Sequence, residues 1–301
     1  MDSWRHMMDG VLVLDKPRGI TSHAAVVAAR RILGESRIGH LGTLDPFSTG
    51  VLVLLVGQIT RLAQFYRERE KVYEGTIRFG FSTDTFDCTG TPTSVEQVPR
   101  LDETNLRKLL REVVGTHLQQ PPPFSAKKTA GVPAYRLARK GKPVQLSPVP
   151  VTIWELDLLS VEGPLVLVRT RVSAGTYIRS LAHDLGRQLG VGAHLYQLRR
   201  VAVGEFHQNQ ALSLEQLEEK VRHQENALIP TEELLPEFPA VVLSDKESRT
   251  AARGGNVEVC SSAQWVRLLE ESGKLLAIAK RMDGNLFHPE VVLGDNQTRP
   301  L

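Results

Sequence analysis

A chain of 301 residues, 41% hydrophobic and 24% charged, has the composition of a globular protein with a large domain and a small one, or two of middle size. A net charge of +3 identifies no partner by itself, and no apolar run reaches the roughly 20 residues of a bilayer-spanning helix. Cys88 and Cys260 are too few and too distant for a disulfide framework or a C-x-x-C metal pair, so they read as free thiols and the expected location is the cytoplasm, with no membrane association.

In chain order, GVLVLDKP (Gly10 to Pro17) predicts a buried strand ended by a turn. Thr21 or Ser22 can then cap a helix over Ala24 to Leu33, which Gly34 ends. The segment from Gly39 to Gly50, GHLGTLDPFSTG, predicts a glycine-punctuated loop before the apolar strand Val51 to Val56. KVYEGTIRFGFST alternates, placing Tyr73, Gly75, Ile77, Phe79 and Phe81 on one face of a strand. In STDTFDCTG, Asp84 and Asp87 lack calcium-loop spacing and read as turn-makers. Leu101 to Val114 predicts a helix.

From Gly115 to Pro150 there are six Lys or Arg and no acid, which predicts an extended basic insertion with one short helix over Ala134 to Lys140. Such a stretch is either a phosphate-binding surface or a solvated loop. Strands follow near Val151 to Leu159 and Leu165 to Ser173. Thr176 can cap a helix whose apolar positions are Ile178, Leu181, Ala182 and Leu185. YQLRRVAVGEF predicts another strand and LSLEQLEEKV an acidic helix. IPTEELLPEFPAVVLS reads as a linker. Beyond it AVVLS, NVEVC, KLLAIAKR and EVVLG predict a small β-rich module.

Several chemistries have no support. The chain contains no G-x-x-x-x-G-K-[ST], no G-x-G-x-x-G, no G-x-S-x-G and no H-E-x-x-H. What remains is an enzyme without cofactor or metal, or a binding module.

Five ordered segments then carry a resemblance. GHLGTLDPFSTGVL is similar to the catalytic motif of the TruB family of bacterial tRNA pseudouridine-55 synthases. GVLVLDKPRGITSHAAV resembles the family's N-terminal motif, and KVYEGTIRFGFSTDTFDCTG its tyrosine motif. SAGTYIRSLAHDLG resembles its arginine motif and LRRVAVGEF its leucine motif, so the likeness covers most of residues 10 to 206. Position 41 departs from the pattern. Leu41 stands where many members carry Thr or another small residue, which touches the packing of the loop rather than its chemical groups.

The resemblance implies roles. Asp45 would be the catalytic carboxylate and Arg179 its charged partner, with Tyr73 stacking on the target base. Leu198 would line an apolar pocket floor and Lys16 would support it. His40 would enter the space vacated by the flipped base, and Tyr177 would pack beside the flipped nucleotide. Lys127, Lys128, Arg136, Arg139, Lys140 and Lys142 would meet phosphates. Alone, each has a plainer reading: an Asp-Pro turn, a core tyrosine or leucine, a loop histidine. Arg179 in a helix's first turn sits against the positive end of the helix dipole, which a nearby anion would relieve. His183 and Asp184 read as structural.

The implied fold is α+β. A pseudouridine-synthase-like mixed, largely antiparallel sheet with flanking helices would occupy residues 1–238, with the basic insertion near 115–150. A small β-rich PUA-like RNA-binding domain would occupy 239–301. The implied activity is isomerisation of uridine to pseudouridine in the T loop of tRNA, by base flipping. No cofactor, no metal and no obligate protein partner is expected, and the chain would act as a monomer. A guide-dependent synthase and an RNA-binding or RNA-folding protein without turnover are the alternatives. Whether Asp45 attacks C1′ or takes a C2′ proton stays open.

Overall fold

A computed structural model describes residues 9–97, 99–125, 127–129, 132–134 and 146–293, with 128, 129, 132 and 133 described by backbone alone. In chain order its elements begin with β1 (Gly10–Lys16), α1 (Ser22–Leu33), β2 (Ile38–Leu41), β3 (Thr49–Val56), α2 (Ala63–Tyr66) and β4 (Lys71–Phe79). Next come α3 (Glu103–Glu112), β5 (Gly115–Gln119), β6 (Lys128–Thr129), β7 (Val132–Pro133), β8 (Val149–Glu162) and β9 (Leu165–Val172). Then follow α4 (Ile178–Gln188), β10 (Ala193–Val203), β11 (Phe206–His207) and α5 (Leu214–Arg222). The chain continues with β12 (Ala240–Val242), α6 (Asp245–Ala252), β13 (Val257–Glu258), β14 (Trp265–Leu269), β15 (Leu275–Asp283) and β16 (Leu286–Val292).

The local signals work as the residues suggest. Thr21 is the N-cap of α1, its hydroxyl accepting from the Ala24 N–H, and Gly34 follows the last turn in the left-handed region. β4 buries every second residue from Lys71 to Phe79, as its alternation requires.

The main sheet runs β1-β3-β10-β4-β9-β8-β5, with β2 added to β3 and β11 to β10. All pairings are antiparallel except β10 with β3, where Arg199 and Arg200 lie parallel to Thr49 and Gly50. One edge of β3 is therefore shared. Residues 53–56 pair with β2 and residues 49–50 with β10. The Gly42–Ser48 loop leaves the sheet at that change of partner.

β1 and β3 are buried on both faces, which explains their unbroken apolar runs. Leu12, Leu14, Leu52 and Leu54 join a core that includes residues of α1, α3 and α4. Val11, Val13, Val51 and Val53 join a second core with Leu275, Ile278 and Val291 of the C-terminal module. Each of these fully buried side chains contributes about 1.5–3 kcal/mol.

Four expectations change. Residues 38–41 are strand rather than loop, because β3 offers them a free edge. Residues 115–119 are an edge strand on β8 rather than part of a loop. The cap of α4 is Tyr177, not Thr176. The predicted linker is packed: Leu234 and Leu235 are fully buried, and Phe238 stacks on Trp265. Arg267 fastens it by donating to the carbonyls of Glu232, Leu234 and Phe238. The C-terminal module is a five-stranded sheet, β12-β14-β15-β16-β13, carrying α6. Among the described residues no helix is long and apolar enough to cross a membrane. The predicted helix over Ala134 to Lys140 lies outside the described residues apart from Ala134.

Candidate active site

Asp45 stands in the loop between β2 and β3, and its position is set by backbone hydrogen bonds. The Ser22 hydroxyl, at the start of α1, accepts from the Leu44 N–H at 2.8 Å and donates to the Leu44 carbonyl at 3.1 Å. The Gly19 N–H donates to the Pro46 carbonyl, and the Ser48 N–H closes a turn onto Asp45 O. The loop therefore serves both as a turn and as a mount for a carboxylate.

That carboxylate meets Arg179. Arg179 Nε lies 2.9 Å from Asp45 Oδ2, and Nη2 donates to Oδ1 at 3.4 Å, a side-on fork. The Arg179 side chain is 6% exposed and that of Asp45 37%, so the arginine is held inside while the acid reaches the cleft. Arg179 also donates from Nη1 to the Thr85 carbonyl and from Nη2 to the Phe124 carbonyl.

Asp87 completes the arrangement, a residue read from sequence as a turn-maker. Its Oδ2 lies 3.4 Å from Arg179 Nη1, while Oδ1 accepts from Thr85 Oγ1, Thr89 N and Thr89 Oγ1. At a bulge beside Leu195 in β10, the loop 86–88 takes the backbone bonds of Leu195: Leu195 N donates to Phe86 O and Cys88 N to Leu195 O. Phe86 stacks on His183 of α4, ring centroids 3.9 Å apart, which gives that histidine the structural role expected of it. Two acids thus face the guanidinium at the N-terminus of α4 and offset the unfavourable helix dipole.

Tyr73, Leu198, Tyr177 and Arg179 line one cleft with Asp45, of about 270 Å³. Tyr73 on β4 is 6% exposed and pairs with Arg200 across β10. Tyr177 is held by Gln119, whose amide accepts from the Tyr177 N–H at 2.8 Å and donates to the Tyr177 carbonyl at 3.0 Å. Tyr177 makes no side-chain cap bond, and Gln119 instead ties down the backbone of the cap residue itself. Ser180 adds a bond to the Gln120 carbonyl, so the root of the basic insertion is tied to the helix that carries Arg179.

Other predicted residues lie elsewhere. Lys16 is fully buried and not part of the cleft lining; its Nζ donates to the carbonyls of Pro17 and Ile20. His40 lines an adjoining cavity of about 350 Å³ that shares Gly42 and Lys71 with the cleft. The buried Nδ1 of His40 has no partner among the described residues. Leu41 is 6% exposed in the apolar core with Val53 and Tyr66, so its side chain serves packing. Lys127 is half-buried, its Nζ 3.5 Å from the Ser147 carbonyl. Lys128 is described by its backbone, and Arg136, Arg139, Lys140 and Lys142 lie outside the described residues.

Arg200 and Lys71 were not anticipated. Arg200 is fully buried and bonds the Val51 and Gly42 carbonyls from Nε and Nη2, filling the gap in β3 between its two partners. Gly50 makes this approach possible: its φ is 98°, and a Cβ there would stand 2.2 Å from the Arg200 carbonyl oxygen. The double Arg of LRRVAV was the available signal, but sequence does not say which of the two turns inward.

Electrostatics follow from burial. Loss of water raises the Asp45 pKa; Arg179 and Lys16 oppose the rise, and Asp87 adds to it. Burial lowers Lys16 to about 8 and Lys71 to about 8. Burial also lowers His40, helped by Arg200 and His23. An ionised carboxylate, clamped by a guanidinium and facing an apolar wall with a tyrosine, can act as a nucleophile or base toward a flat ring.

Comparison with known proteins gives a consistent picture. The model for the TruB family pseudouridylate synthase N-terminal domain matches residues 30–178, and that for the tRNA pseudouridylate synthase B C-terminal domain matches 179–236. The chain is 45% identical over 293 residues to tRNA pseudouridine synthase B of Solibacter usitatus, covering 95% of this chain and 100% of that one. It is 39% identical over 289 residues to the protein of that name from Thermotoga petrophila, covering 93% of each. In three dimensions it resembles a chain of a Cbf5-Nop10-Gar1 complex, with a TM-score of 0.73 at 25% identity, over 95% of this chain and 85% of that one. A chain of an H/ACA RNP bound to a substrate RNA containing 2′-deoxyuridine shares the fold, with a TM-score of 0.73 at 24% identity over 98% and 88%.

Proposed function

The chain belongs to the TruB family of pseudouridylate synthases, and from that premise we propose that it isomerises a uridine of the tRNA T loop, position 55, to pseudouridine, with Asp45 as the catalytic carboxylate. The observation that carries this reading is the Asp45–Arg179 fork at the floor of a cleft walled by Tyr73 and Leu198. The N1–C1′ bond breaks, the base rotates, the C5–C1′ bond forms, the C5 hydrogen leaves as a proton and N1 takes one up. Substrate and product are isomers, so no redox carrier or group donor is required. Asp45 either attacks C1′ or removes the C2′ proton, and both need it ionised. Arg179 supports the ionised form against burial. Tyr73 provides a ring on which the base stacks, and Leu198 an apolar floor.

A base stacked in a folded loop must be extruded to reach the cleft. His40, which lines the second cavity, takes the vacated position in this reading, and Tyr177, which lines the cleft, packs against the flipped nucleotide. Lys16 steadies the floor from beneath by its bonds to Pro17 and Ile20. The basic insertion, with Lys127, Lys128, Arg136 and Arg139, meets the phosphates of the stem. The C-terminal five-stranded sheet is a PUA-like RNA-binding module. In this reading the protein acts alone on tRNA, as a cytoplasmic monomer.

The test uses tRNA carrying tritium at C5 of the T-loop uridine alone. Wild type, without guide or partner, releases about one equivalent of tritium per tRNA, and Asp45→Ala releases none while binding the RNA. Release by neither, with tight binding retained, overturns the proposal in favour of an RNA-binding protein or a guided enzyme.

A further inference from the structure

The cleft holds more positive charge than Asp45 and Asp87 use. Both acids engage Arg179, whereas no carboxylate among the described residues forms an ion pair with Arg200 or Lys71. Arg200 spends Nε and Nη2 on backbone carbonyls, and Nη1 is left facing Gly42. Lys71 is 9% exposed and gives one hydrogen bond, to the Arg69 carbonyl at 2.8 Å, out of three available to an ammonium. Burial without a counter-ion in contact disfavours the Lys71 charge.

Their placement is specific. A Cβ on Gly42 would stand 3.4 Å from Arg200 Nη1 and 3.4 Å from Lys71 Cε, so the two cations flank this bare backbone point. Gly42 and Lys71 line both the Asp45 cleft and the His40 cavity. The cations therefore sit at the neck between the space for a reacting base and the space beside His40. Burial and then Arg200 lower the Lys71 pKa to about 8, with Glu68 opposing, so a bound anion would relieve this charge.

We propose that Lys71 and Arg200 form a phosphodiester-binding subsite at this neck, holding the RNA backbone next to the extruded uridine. The inference rests on the RNA-modifying reading above. Extrusion swings a base out by rotating its backbone, and a phosphate held by two fixed cations would keep that rotated backbone in place.

The experiment is a coupling cycle read in RNA affinity. T stem-loop strands carry one neutral methylphosphonate, either 5′ or 3′ of the target uridine, with 2′-deoxyribose at that linkage in modified and control strands alike. Wild type binds one of the two methylphosphonate strands about tenfold more weakly than its control, and Lys71→Met weakens the control strand by a similar factor with no further loss from that methylphosphonate. The salt slope of binding falls by about 0.7–1 in Lys71→Met, and Lys71→Arg restores both quantities. Equal affinity of wild type for both methylphosphonate strands and their controls overturns the subsite without reference to any variant. So does a methylphosphonate penalty that persists undiminished in Lys71→Met. Tritium release with no methylphosphonate penalty refutes the subsite and leaves the function standing. Coupling without tritium release does the reverse.

Discussion

Asp87 Oδ2 lies 3.4 Å from Arg179 Nη1, on the opposite end of the guanidinium from Asp45, and both Asp87 and Arg179 have side chains only 6% exposed. The arginine is thus oriented by a buried acid that sits outside the cleft lining and presents its other edge to Asp45. Asp87→Asn removes this hold and one of the influences that raise the Asp45 pKa. Single-turnover tritium release is expected to slow about 10- to 100-fold at its plateau. The acid limb of its pH profile, where Asp45 protonates, should move to lower pH. An acid limb that stays put or moves upward would contradict the assigned electrostatics.

Gln119 presents both faces of its amide to Tyr177 and is 2% exposed. Gln119→Ala leaves the part-buried Tyr177 N–H without its partner, while the Tyr177 carbonyl keeps its bond from the Leu181 N–H, and this costs about 1–3 kcal/mol in unfolding free energy. Turnover should fall as well, because Arg179 follows Tyr177 by two residues on the same helix start. Gln119→Glu keeps an acceptor for the Tyr177 N–H but sets a buried carboxylate oxygen against the Tyr177 carbonyl, so its stability should fall below that of wild type and recover as the carboxyl is protonated at low pH. Urea unfolding beside single-turnover rates checks the order.

Gly50 and Gly34 both have positive φ, but their surroundings differ. A Cβ at Gly50 collides with the Arg200 backbone, whereas at Gly34 nothing lies within 4 Å. Gly34→Ala should cost about 1 kcal/mol from its backbone conformation alone. Gly50→Ala should cost more than about 3 kcal/mol and disturb the β3–β10 junction that frames the Asp45 loop. Similar melting temperatures for the two variants would refute the claimed close approach.

Lys16 has a folded-state pKa of about 8 against 10.5 for a free lysine. Between those values the unfolded chain binds more protons, so this group makes stability rise with pH across that window. Below about 8 both states are protonated and the burial penalty is fully present. Lys16→Met lacks this dependence. The difference in unfolding free energy, wild type minus Lys16→Met, should therefore grow from pH 7.5 to pH 10. A difference independent of pH would show that Lys16 is not desolvated in the folded protein.

The basic insertion gives a salt-dependence prediction. Replacing Lys127, Lys128, Arg136 and Arg139 together by Gln should lower the slope of log affinity for tRNA against log salt by about 2–4, with little change in the rate at saturating enzyme. An unchanged slope would remove these residues from the phosphate contacts.

Much of the molecule is legible along the chain because its signals are local. Alternation marked β4, Thr21 and Gly34 bracketed α1, and the ordered motifs singled out Asp45, Tyr73, Arg179 and Leu198, which the fold gathers into one cleft. Local signals erred where a neighbour supplied the missing partner. Residues 38–41 became strand because β3 had an open edge, and the Pro-rich segment before β12 became core because Phe65 and Trp265 receive Phe238.

By itself the sequence determined most of the strands and helices, those with a clear period or cap, and that a carboxylate would stand in a glycine-bounded loop. Only the tertiary structure decided that β10 inserts between β3 and β4, because that pairing joins residues some 114 to 150 positions apart in the chain. That insertion buries Arg200, and its bulge draws in the loop that places Asp87 behind Arg179. A side chain's type is a property of its own position. Its burial, its counter-ion and its pKa are properties of whatever the folded chain brings beside it, and those neighbours come from elsewhere in the sequence.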